Sequence, residues 1–113
     1  MNNIVRSLGI VVLGLTLSTG VLASEAVVTP EQIAAAKTPA DHEAIAVAYD
    51  QEADKLETKA KEHEAMAEAY SKRGPTKSRS SSMHAHCAKL AKQYSEAAAE
   101  NRSLAKEHRS MAH

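Results

Sequence analysis

Residues 42–70, HEAIAVAYDQEADKLETKAKEHEAMAEAY, and residues 87–112, CAKLAKQYSEAAAENRSLAKEHRSMA, decide the fold between them. Alanine returns at every seventh position in both: Ala46, Ala53, Ala60 and Ala67 in the first, Ala91, Ala98, Ala105 and Ala112 in the second. Four residues ahead of each alanine runs a second series. It reads His42, Tyr49, Leu56 and His63, with Tyr70 completing it, and then Cys87, Tyr94, Asn101 and His108. A repeat of seven with 3-4 alternation places both series on one face of a helix, as a coiled-coil seam requires. The expected class is therefore all-α.

Folding the two stretches back on each other about position 77 sets bulky seam residues of each against alanines of the other. Tyr49 then faces Ala105, Leu56 faces Ala98 and His63 faces Ala91, while Ala46 faces His108, Ala53 faces Asn101, Ala60 faces Tyr94 and Ala67 faces Cys87. Large-against-small packing lets helices approach closely, so the expectation is an antiparallel two-helix hairpin, an alanine-rich coiled coil. The same register brings Glu43 to Arg109 and Asp50 to Arg102, charges that help set the alignment. Beside the seam of the second stretch lie Met83, Leu90, Ala97, Leu104 and Met111, all apolar. Ile45 and Met66 hold the matching edge of the first, interrupted by Glu52 and Lys59. A two-layer hairpin cannot cover that edge. Either the segment around Val27, Val28 and Ile33 folds over it, or a second copy does, giving a homodimeric four-helix bundle; the second is the expectation. Two near-repeats, AKEHEAMA at 60–67 with AKEHRSMA at 105–112, and HEAIAVAY with HEAMAEAY, point to duplication of a helical unit.

Local signals set the boundaries. Thr29-Pro30-Glu31-Gln32 reads as a cap, a proline at the first helical position and a side chain reaching back. Thr38-Pro39-Ala40-Asp41 repeats that signal and ends the first, brief helix. Arg73-Gly74-Pro75 stops the second. The expected organisation is a signal peptide over 1–23, a short N-terminal segment with a brief helix over 24–38, and a hairpin over 39–113. Its helices are expected at about 39–72 and 82–112, with a polar loop over 73–81.

Residues 1–23 carry Asn2, Asn3 and Arg6 ahead of an apolar run from Leu8 to Leu17, followed by small residues near Ala23. This is the pattern of a secretory signal, with cleavage after Ala23 or Ala26 and a periplasmic or secreted product. Glycines at 9, 14 and 20 break the run, which is too short for a convincing membrane span. The 113-residue chain balances 14 basic against 14 acidic side chains and holds neither Phe nor Trp. Balanced charge without interleaved aromatics argues against a nucleic-acid partner. A small apolar content leaves one copy with little core, which favours self-association. The basic tip, Lys72, Arg73, Lys77 and Arg79, offers weak contact with an anionic membrane or cell wall, though such loops are commonly just solvated turns.

Six histidines, four methionines and one cysteine supply the only pointed chemistry. In the register above His63 and Cys87 lie one turn apart on facing helices, and so do His42 and His108. Met66, Met83, His84 and His86 gather near the first pair. Imidazole, thiolate and thioether suit copper or zinc, so His63, Cys87, His42, His108, Met83 and His84 are the candidate ligands. The competing reading makes the histidines polar spacers that fix the register. A third makes them a pH-responsive seam, in which charging both His42 and His108 between roughly pH 7 and 5 separates the helices. Cys87 reads as a packed small residue, an intermolecular bridge or a ligand. No nucleophile elbow, phosphate-cradling loop or haem-attachment motif is present, so no catalysis is expected. The expected function is a non-catalytic structural or binding role in the cell envelope, with periplasmic copper or zinc binding as the alternative.

Overall fold

The computed structural model describes residues 28–73 and 77–113, with side chains from Ser80 onward in the second segment. The expected signal peptide over 1–23, the cleavage points after Ala23 and Ala26, Val27, the Gly74-Pro75 stop and the side chains of Lys77 and Arg79 lie outside the described residues. Three helices follow one another: α1 (Pro30–Ala35), α2 (Pro39–Ser71) and α3 (Lys77–Met111). Alanine, glutamate, lysine, leucine and methionine, all good helix formers, fill the two long ones. No described helix is long and apolar enough to cross a membrane.

Both predicted caps form. The Thr29 hydroxyl accepts the Gln32 amide at 3.2 Å while the Gln32 side chain accepts the Thr29 amide at 2.8 Å. At α2 the Thr38 hydroxyl accepts from the Asp41 amide, and the Asp41 carboxylate takes the amides of Thr38 at 2.9 Å and Lys37 at 3.0 Å. Those two amides and the Thr38 hydroxyl pull the Asp41 carboxyl below its ordinary value, with a smaller contribution from His42. Proline at the first helical position needs no amide partner, which leaves one fewer orphan donor at each start.

One boundary needs correction. The serine run at 78–82 reads largely as linker, yet α3 begins at Lys77, more than a turn before the expected start at about Ser82. Serine favours caps and turns but does not forbid a helix, and no Gly or Pro lies between Lys77 and Met111. The Ser80 hydroxyl donates to the Tyr70 carbonyl near the end of α2, which ties the added turn to its neighbour. The connection is correspondingly shorter than the expected 73–81.

α2 and α3 pack against each other, giving a hairpin-like all-helical fold. Cross-helix contacts run in opposite chain order: His42 meets His108, Arg102 meets Asp54, His63 meets Tyr94 and Tyr70 meets Ser80. The buried residues of the long helices are nearly all the seam series: Ala46, Ala53, Ala60 and Ala67 on α2, and Cys87, Ala91, Ala98, Ala105 and His108 on α3. Ile45 is buried as well, and a shallow cleft lined by Val28, Gln32 and Ala36 adjoins it. The N-terminal segment therefore reaches Ile45, while Ile33 remains exposed. A core of methyl groups contributes little burial per residue, so the pair depends on the length of its contact.

Candidate functional site

The seam of α2 and α3 presents two polar clusters, one near each end. At the end formed by the start of α2 and the close of α3, the Nδ1 atoms of His42 and His108 lie 3.1 Å apart, in hydrogen-bond geometry. One ring donates and the other accepts. The ring centroids are 5.4 Å apart, and the Tyr49 ring lies 5.8 Å from that of His108. His108 is the one polar residue buried among the described residues, and His42 is half-buried. Its heptad position places His108 against α2, where alanines at 46 and 53 leave room for an imidazole and a phenol ring.

A ladder of ion pairs flanks this end. Arg109 contacts Asp50 at 2.7 Å and Glu43 at 3.4 Å. Arg102 reaches Asp54 at 2.8 Å, Glu57 at 2.9 Å and Asp50 at 3.6 Å. The Glu43–Arg109 and Asp50–Arg102 contacts are those the register predicts; the bonds to Asp54 and Glu57 are additional. The hydrogen bonds that Arg102 donates to Asp54 and Glu57 raise it above its ordinary range, and that to Asp50 does the same for Arg109. All these groups face water, so the ladder aligns the helices more than it holds them together.

The second cluster lies around His63. His63 stacks on Tyr94, with centroids 5.4 Å apart and planes 18° from parallel, and Lys59 sits 5.8 Å over the other aromatic partner, Tyr94. The His63 Nδ1 is buried and has no hydrogen-bond partner. Cys87 is a buried free thiol, and no hydrogen bond joins it to His63 among the described residues. Its burial matches the packed reading of a small apolar side chain. His84 turns to the Ala67 carbonyl, 2.8 Å from its Nδ1, while Met83 and His86 are exposed. Among the described residues no group of three or more His, Cys, Asp or Glu converges as a metal cage. Of the six candidate ligands, the structure joins His42 and His108 directly, while His63 stacks on Tyr94, His84 meets the Ala67 carbonyl, and Cys87 and Met83 carry no hydrogen bond to the other candidates among the described residues.

Sequence reasoning missed Tyr49 and Tyr94 as the rings that flank the histidines. Both belong to the same heptad series, which was the available signal. Comparison with family models, with curated proteins and with solved structures gives no match to this chain.

Proposed function

We propose that this chain is a small exported protein with a non-catalytic structural or binding role in the cell envelope, built as an antiparallel alanine-seamed hairpin that pairs into a four-helix bundle. The observation that carries the reading is the edge of α3. Met83, Leu90, Leu104 and Met111 repeat beside the buried seam and are 40%, 38%, 39% and 50% exposed. A helix with a buried face normally turns polar residues outward next to it. An apolar row of that length, left uncovered by the described residues, suits a second copy docked along it. Export follows from the N-terminal signal pattern and would place the assembly outside the cytoplasm.

The test is sedimentation of the mature chain beside a Leu90→Glu, Leu104→Glu variant. A dimer that the double variant reduces to a monomer of unchanged helicity supports the reading. A wild-type monomer at tens of micromolar removes it. The second reading, copper or zinc binding at the seam, is favoured by one observation: the convergence of His42 and His108.

A further inference from the structure

We propose that His42 and His108 form a two-imidazole clamp for a divalent transition-metal ion, copper(II) ahead of zinc(II), joining the first turn of α2 to the last turn of α3. The inference deepens the metal-binding reading and rests on it, but it is independent of self-association. It replaces His63 and Cys87, the pair the sequence ranks first, with the pair whose donor atoms meet.

The argument begins with distance. Metal–imidazole bonds are about 2.0–2.1 Å, so nitrogens 3.1 Å apart subtend roughly 100° at a shared ion. That angle lies between the tetrahedral value zinc prefers and the right angle of neighbouring positions in tetragonal copper(II). The ion sits off the line joining the nitrogens, so each ring turns slightly about its side-chain bonds as the shared proton leaves. The accepting ring already carries its proton on Nε2; the donating ring must give up its Nδ1 proton and take one from water at Nε2, so both bind as neutral imidazoles through Nδ1 with no net proton lost from the pair.

Surroundings decide the rest of the coordination shell. The Asp41 carboxylate, next to His42 in sequence, is committed to the amides of Lys37 and Thr38. Glu43 and Asp50 are held by Arg109. Tyr49 offers its ring face to His108. The clamp therefore supplies two nitrogen donors, and water completes the shell. A donor set of imidazole without thiolate selects copper(II) and zinc(II), with copper the tighter by the usual order of affinities.

Such an ion would bridge two helix ends, the places where a helix frays first. A ligand bound only by the folded pair stabilises it in proportion to the logarithm of its excess over Kd. At a hundredfold excess the melting temperature of a domain this size should rise by about 10–20 °C. Protons compete for the same nitrogens, so the rise should shrink as the medium is acidified.

The experiment is thermal melting of the full mature chain, untagged, with copper(II) chloride or zinc chloride as the only added metal. Copper(II) electron paramagnetic resonance reports nitrogen coordination in parallel. His42→Ala and His108→Ala should each abolish the metal-dependent rise and the two-nitrogen signature, while His63→Ala, Cys87→Ser keeps both. His108→Gln, which retains a polar group in the seam, covers the case in which His108→Ala fails to fold. If the rise survives in His42→Ala and His108→Gln but disappears in His63→Ala, Cys87→Ser, the clamp is overturned and metal binding stands elsewhere. If the wild-type chain shows neither rise nor nitrogen coordination, both are overturned.

Discussion

Ala98→Leu tests the close approach of the two long helices. Ala98 is 2% exposed, and in the register read from the heptads it faces Leu56. A second leucine there puts three more carbons where two bulky side chains would compete for one space. Overpacking of this kind costs about 1–3 kcal/mol. For a domain of this size, each kcal/mol lowers the melting temperature by about 4–8 °C, so a fall of about 5–20 °C is expected by circular dichroism. Ala99→Leu, at the exposed neighbouring position, should change stability by no more than about 0.5 kcal/mol. The exchange Leu56→Ala combined with Ala98→Leu restores the volume and should recover most of the loss. The reasoning is refuted if Ala98→Leu melts at or above the wild-type temperature, since a seam that accepts leucine is not closely packed.

Three further outcomes follow from the same geometry. His63→Phe keeps the stack on Tyr94 and removes the buried, unpartnered Nδ1, so it should stabilise the fold by about 1 kcal/mol in urea titration; a lower midpoint would show that the nitrogen has a partner in solution. Arg102→Ala removes three carboxylate contacts that all face water, and its small loss of stability should be greater in dilute buffer than at 0.5 M salt, about five times the ionic strength at which the Debye length is ~10 Å. The Asp41 carboxyl is held below its ordinary value of 3.8 in the folded chain, so its cap is complete above that pH and is lost as pH falls through the lower, folded value. Protection of the Thr38 and Lys37 amides, taken as the exchange rate relative to that of an unstructured amide at the same pH, should therefore fall only in acid, and Asp41→Asn should remove that dependence; no protection at neutral pH would contradict the capping role.

The long helices and their seam were legible because alanine keeps strict sevenfold spacing in both, and because one register sets large residues from Tyr49 to His63 and from Cys87 to His108 against alanines. The caps were legible because Thr-Pro-x-Gln and Thr-Pro-x-Asp each supply an acceptor, a residue without an amide and a returning side chain at fixed spacing. The start of α3 was not, since serine serves a turn or a helix equally and its docking on Tyr70 is a tertiary contact. Within the site, the register put His42 beside His108, and backbone spacing suffices for that. It did not foresee that His63 lies on Tyr94, because ring orientation is a rotamer choice made among neighbours. Arg102 likewise reaches Asp54 and Glu57 through side-chain length, which a heptad diagram does not register.

Electron–electron distance measurement between spin labels at Ala44→Cys and Ser110→Cys, in a Cys87→Ser background, tests the pairing of α2 with α3 most directly. Facing helices pack with axes about 8–10 Å apart, so the account predicts a narrow label-to-label distribution near 20–30 Å. A continuous helix would carry the two sites about 100 Å apart. A long or broad distribution would contradict the account.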